Sequence, residues 1–353
     1  MTLKSILSKA CLLTAFVTAS LAHGAAAADD KVLYLFNWAD YTAPDLIKRF
    51  SAETGIKVII DTYDSNGALL AKLEGGAGGY DVAAPSQTTL KGLIDAGALL
   101  KFDAKTLPNF KNVAAPFDSI DSDPGRQYSI PYTWGMDSFA YNSAKVPGGK
   151  LDDSWKSLFD PAPDMVGKIS MVKPDALYYA AALYLGVERC TENPEDAKKI
   201  LDVLQKQKVA VKTYVENGGA REQLANGEVA AAMIGNGSYH RALKDASSLV
   251  FVYPKEGVSV WYDNFVIPAK APHVENAKIF LNWMMDPKNA AEAANYTSDN
   301  VSIRGAGPFL KPELRDDPAV NVPDNMSDRL KPMAQCSAKA NDLRGRVWAS
   351  LAR

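Results

Sequence analysis

The sequence predicts an α/β protein. Short apolar runs bounded by turn residues alternate with segments of helical period, and the N-terminal half runs strand–helix–strand–helix–strand. The chain has 353 residues, 47% hydrophobic and 23% charged, which is ordinary globular usage and long enough for two domains, each with its own core.

Val32 to Phe36 is a short apolar run, as in a buried strand. After the loop Asn37 to Thr42, Pro44 suits a first helical turn; Leu46, Ile47 and Phe50 follow at helical spacing, and Gly55 ends the helix. Ile56 to Tyr63 is the next strand. Asp64, Ser65 and Asn66 offer caps for a helix through Leu69, Leu70 and Leu73, and Gly75 to Gly79 forms a turn. Tyr80 to Pro85 is a third strand, with Ser86 capping the helix after it. This order implies a parallel sheet with right-handed crossovers, whose ligands bind beyond the carboxyl ends of the strands. A second α/β set follows. Its expected strands are Lys168 to Val172, Val209 to Val211, Val229 to Ile234, Leu249 to Val252 and Ser259 to Ile267. Its helices begin at Pro174 and Glu195, and a helical C-terminal part ends near Ala338 to Ala352.

Residues 1–28 read as a secretory signal peptide. Lys4 and Lys9 precede an apolar stretch from Ala10 to Ala22 that is too short to span a bilayer, and small residues lead to Ala28. Cys11 precedes most of that stretch, which does not suit lipid attachment. Cleavage near Ala28 removes both lysines and takes the formal charge from −2 to −4. Cys190 and Cys336 remain, and an oxidising compartment permits either one disulfide or two buried thiols.

Nothing in the pattern signals catalysis. GxSxG, HExxH, CxxC and phosphate-loop motifs are absent, and Gly75–Gly79 precedes a strand where a dinucleotide fingerprint would follow one. The histidines after the leader are His240 and His273; a lone helical histidine such as His240 reads as structural. Lys plus Arg number 39 against 41 Asp plus Glu with no basic stripe, which argues against nucleic acid. No cofactor and no metal are expected.

Asn37-Trp38-Ala39-Asp40-Tyr41 and Glu53 to Val58, followed by Tyr80-Asp81-Val82 with Pro85-Ser86, then Ile130 to Gly135, Leu224 to Glu228, Asn236-Gly237-Ser238, Pro254 to Gly257 and Trp261-Tyr262-Asp263, keep one order along the chain. In this the sequence closely resembles the putrescine- and spermidine-binding periplasmic proteins of bacterial ABC importers. The resemblance implies a type II two-lobed periplasmic binding protein, with a mostly parallel sheet in each lobe and a ligand cleft between. It implies residues 29–137 and 264–325 in the first lobe and 138–263 and 326–353 in the second. It also implies a permease pair and a cytoplasmic ATPase as partners, and a periplasmic location.

By the same resemblance, Trp38, Asp40 and Tyr41 hold one ammonium end, and Trp261 and Asp263 line the cleft from one strand face. Ser86 is a polar wall residue. Ala39 and Ser238 of the quoted motifs, Asp64 of the further match Asp64-Ser65-Asn66, and Gly235 and Asp299, which replace family aromatics, complete the candidate set. Carboxylates accept ammonium hydrogen bonds at about 1.5–3 kcal/mol each, and aromatic faces add about 0.5–2 kcal/mol by cation–π attraction.

Departures from the family pattern suggest a changed far subsite. Ala176 stands where the family has an acid, with Asp175 beside it and Lys173 just before; Gly235 replaces a Trp, and Asp299 a Tyr. Loss of an acid and an aromatic wall is the expectation there. Arg221, at a helix start after Gly218-Gly219, offers a fork for a carboxylate. Together these favour a short ω-amino acid of the 4-aminobutyrate type, with an ordinary putrescine or spermidine binder as the alternative. The readings from other classes are a secreted enzyme on a bilobal scaffold and an iron or anion binder; iron would need a Tyr pair such as Tyr178-Tyr179, whose helical spacing favours core packing, and an anion bare helix N-termini.

Overall fold

The computed structural model describes residues 31–74, 78–172 and 175–351. The expected leader, Gly75 to Ala77 of the glycine-rich turn, Lys173 and Pro174 lie outside the described residues.

Ten strands form one continuous sheet path: β1 (Val32–Trp38), β2 (Lys57–Tyr63), β3 (Val82–Ala83), β4 (Ser129–Asn142), β5 (Ile169–Val172), β6 (Val211–Val215), β7 (Ala231–Gly235), β8 (Leu249–Val252), β9 (Val258–Val266) and β10 (Leu330–Pro332). The order is β2-β1-β3-β9-β4-β7-β5-β6, with β8 on β4 and β10 on β9. β1 pairs in parallel with β2 and β3, and β5 with β6 and β7. Between these two parallel sets, β4 and β9 run antiparallel to each other and join them.

β4 divides its side chains between two cores. Ile130 and Tyr132 pack with Leu35, Phe50, Phe265 and Phe280, whereas Phe139 and Tyr141 pack with Trp155, Ile200 and Met233. Trp155 is fully buried and its indole N–H donates to the Gly257 carbonyl at 2.8 Å; truncation of such a residue costs about 3–5 kcal/mol. β4 thus contributes side chains to two separate hydrophobic cores.

Local signals explain the first unit. Pro44 occupies the first turn of the helix Pro44–Thr54, and Gly55 ends it with φ 73°. The strand expected over Tyr80 to Pro85 shrinks to Val82–Ala83, because Asp81 is fully buried and its carboxylate accepts the backbone N–H groups of Tyr34 and His273. The strand expected from Val209 begins at Val211, leaving Val209 81% exposed in the turn before it. Cys190 and Cys336 are joined as a disulfide. His240 is buried and hydrogen-bonded through Nδ1 to Asp317 at 2.6 Å, and Tyr178 and Tyr179 are buried in the second core.

Candidate functional site

The turn leaving β1 brings the first aromatic residues to the strand ends. Asn37 donates from Nδ2 to Thr42 Oγ1 at 2.9 Å, and Asp40 takes the left-handed conformation (φ 61°) that turns the chain back. Trp38 is half-buried; its indole N–H donates to the Ala84 carbonyl at 3.0 Å, and its ring lies 4.7 Å from that of Tyr63. Tyr63 donates to the same carbonyl at 2.6 Å, and Tyr132 donates to the Tyr41 carbonyl at 2.6 Å. Desolvation, followed by the negative charges of Asp299 and Asp263, pushes the Tyr41 phenol well up. Burial raises Tyr63 and Tyr132 too. All three stay protonated at neutral pH and present O–H groups within a wall of rings.

Two buried carboxyls, Asp263 and Asp299, lie beside this wall, and a third, Asp137, lies beside them. Asp263, on β9, is 3% exposed and accepts the Ser86 hydroxyl at 2.7 Å. Ser86 stands at the N-terminal end of the helix Gln87–Asp95, but its side chain makes no cap; the hydroxyl goes to Asp263 instead, because a buried carboxylate is the more costly group to leave unpaired. Asp137, on β4, and Asp299, after the helix Pro287–Thr297, are also buried. Burial pushes all three acids up to about 7, and neighbouring negative charge adds to it for two of them: Asp299 raises both Asp137 and Asp263, and Asp137 raises Asp263. Like charges held together out of water are unfavourable unless a cation joins them.

Residues of β4, β9 and the helix Asn236–Ala242 supply a second side. Gly135 makes room for Trp261, whose ring atoms would stand 2.3 Å from a Cβ at residue 135. Asn236, fully buried, donates to Asn300 Oδ1 at 2.6 Å and accepts the Met136 N–H at 2.8 Å, fixing β4 against the loop that carries Asp299. Arg241, half-buried on the helix Asn236–Ala242, donates to the Thr297 carbonyl and, at 3.1 Å, to Ser238 Oγ. Its charge holds Asp299 and Tyr41 lower than burial alone would.

The expected residues therefore sort unevenly. Trp38, Tyr41, Ser86, Asp263 and Asp299 share one neighbourhood, with Trp261, Gly235 and Ser238 along its second side. Ala39 and Asp40 are exposed in the turn, and the Asp40 carboxylate accepts no hydrogen bond among the described residues. Asp64 is exposed too; its motif reaches the site through Asn66, whose Nδ2 donates to Ser86 Oγ at 3.4 Å. Arg221, on the helix Asn217–Ala225, has Glu222 at 3.9 Å and no bond to the acids. Ala176 does stand in the helix Asp175–Leu185 where the family pattern has an acid, and Asp137, Asp263 and Asp299 are three acids buried elsewhere in the fold. Sequence reasoning missed Asp137, Tyr63, Tyr132 and Arg241. For Asp137 the signal was an isolated acid inside the apolar run Gly135 to Tyr141.

The family model of bacterial extracellular solute-binding proteins matches residues 45–321. The chain belongs to this family. This solute-binding protein is 34% identical to the putrescine-binding periplasmic protein SpuD of Pseudomonas aeruginosa (strain UCBPP-PA14), over 96% of this chain and 97% of the relative. Among solved structures it resembles a putative spermidine/putrescine ABC transporter protein of Listeria monocytogenes, with a TM-score of 0.83, 29% identity, and coverage of 91% of this chain and 99% of that one. It also resembles the substrate-binding protein PotD of Streptococcus pneumoniae, with a TM-score of 0.80, 26% identity, and coverage of 91% and 98%. It shares their two-lobed α/β fold. Its relatives are substrate-binding proteins of ABC transporters and not enzymes.

Proposed function

We propose that this solute-binding protein captures an aliphatic polyamine-class cation in the periplasm and delivers it to the permease and ATPase of an ABC importer. The observation that carries this reading is the set of three buried carboxyls, Asp137, Asp263 and Asp299, together with the wall of Trp38, Tyr41, Tyr63 and Tyr132. An alkylammonium satisfies the carboxylates, and its methylenes cover the rings. The relatives named for putrescine and spermidine support the same ligand class. Residues 29–137 with 264–325, and 138–263 with 326–353, are taken as the lobes that close on the ligand. Export follows from the leader at residues 1–28.

Trp38, Tyr41, Ser86, Trp261, Asp263 and Asp299 are the contacts in this reading, with Asp40 at the mouth. The ω-amino acid reading is kept as a second one on a single observation: among the described residues, Arg221 has no closer anion than Glu222 at 3.9 Å. Titration calorimetry with putrescine, cadaverine, spermidine, 4-aminobutyrate and glutamate separates the two. Amines binding at least tenfold tighter than 4-aminobutyrate is the expected result. The reverse order, abolished by Arg221→Ala, establishes the amino acid instead, and heat from neither class overturns both.

A further inference from the structure

Arg241 is a cation placed among acids. It donates to the Thr297 carbonyl on the first side of the site and to Ser238 Oγ on its own helix, so it spans the two sides. Thr297 is also the residue whose Oγ1 accepts the Asp299 N–H at 3.2 Å, so the guanidinium is anchored beside the Asp299 loop. Gly237, on the same helix as Arg241, lies against that carboxylate: a Cβ there would stand 2.2 Å from Asp299 Oδ1. No aspartate or glutamate forms an ion pair with Arg241 among the described residues, so its charge is not consumed by a private partner.

The fully ionised site can then be counted. Asp137, Asp263 and Asp299 contribute three negative charges when ionised and Arg241 one positive, which leaves two. A buried site is most stable when the ligand neutralises it, because any surplus charge of either sign is held away from water. Resting on the polyamine reading above, we propose that Arg241 is a specificity-determining residue that sets the site for a dication, a linear diamine, against amines with three or more charges. Arg241 does this as a resident cation: it takes the place that a third ammonium of spermidine would need and repels it. Negative selection of this kind discriminates by a mismatch built into the site and not by added contacts.

The test is titration calorimetry at pH 7.5 with putrescine and spermidine on the wild type, Arg241→Gln, Arg241→Met and Arg241→Lys. Wild type and Arg241→Lys are expected to prefer putrescine by at least tenfold. Both neutral variants are expected to shift the ratio of the two dissociation constants at least tenfold toward spermidine. A purely structural loss weakens both ligands together and leaves the ratio unchanged, and that outcome overturns the inference. A wild type that prefers spermidine, or an Arg241→Lys variant that shifts as far as Arg241→Gln, overturns it too. A wild type that binds neither amine is instead a failure of the polyamine reading.

Discussion

Gly237 touches the carboxylate of Asp299: a Cβ built on the glycine would lie 2.2 Å from Oδ1 and 3.1 Å from the Thr297 carbonyl oxygen. The helix that begins at Asn236 thus approaches the acid loop as closely as backbone allows, and only a residue without a side chain permits it. Gly237→Ala should push Asp299 away from Arg241 and the neighbouring acids. Overpacking of this size costs about 1–3 kcal/mol. The expected outcome is a lower Tm together with an amine affinity reduced at least tenfold, measured by thermal melting and calorimetry on the same preparation.

The three acids make the empty protein pH-sensitive. Each has a folded pKa of about 7, above its unfolded value of about 3.9. Between these values the folded state binds protons that the unfolded chain does not. The resulting stability is full below about pH 4 and is lost as pH rises through about 7, at up to about 1.4 kcal/mol per pH unit for each acid. The Tm of ligand-free protein should therefore fall from pH 5 to pH 7.5, and fall less steeply in Asp263→Asn.

Amine binding should show the mirror image. A bound cation favours the ionised carboxylates, so binding expels protons near pH 7 and strengthens as pH rises from 5.5 to 7.5. Calorimetry in two buffers of different ionisation enthalpy should give different apparent heats, and equal heats would contradict the proton release.

The Cys190–Cys336 bond closes a loop with a sequence separation of 146 and ties the turn after Leu185 to the chain that leads into the C-terminal helix Ala338–Leu351. Loop closure of this length is worth about 4–5 kcal/mol in the chain-entropy description. Replacing both cysteines by serine should lower the Tm clearly while changing the dissociation constant for putrescine less than threefold, since neither cysteine contacts the acids.

Much of the fold was legible because its signals are local. Gly55 ends its helix in the left-handed region, as a glycine after Phe50 implies, and the parallel strand β1 is a plain apolar run. The central strand β4 was not legible. Pro131 and Gly135 interrupt its pattern, and both are tolerated for tertiary reasons: a register shift against β9 lies between Pro131 and Thr133, and Trp261 lies over Gly135. The site divides in the same way. Ser86 looks like a helix cap in sequence, and only the approach of β9 reveals Asp263 as its partner. Asp137 and Asp299 are 162 positions apart in sequence, and no spacing rule links them; the loop after Thr297 reaches β4 through the bridge between Trp134 and Asn300.

The resemblance puts Asp40 at one ammonium end and Asp263 in the cleft lining, and their surroundings make them unequal. Asp40 is exposed to water, where charge pairs are worth about 0–1 kcal/mol because solvent screens them. Asp263 is 3% exposed, is held by Ser86 Oγ at 2.7 Å, and sits where a charge–charge contact is poorly screened. Asp263→Asn leaves the shape of the site intact and removes one buried charge, a loss of about 3 kcal/mol in hydrogen bonding to an ammonium. Putrescine affinity should fall at least a hundredfold in Asp263→Asn and less than fivefold in Asp40→Asn. The double variant should match Asp263→Asn within that same small factor. Calorimetry on the three variants checks the order, and equal losses in the two single variants would place the ammonium at the mouth of the cleft, beside Asp40, instead of among the buried acids.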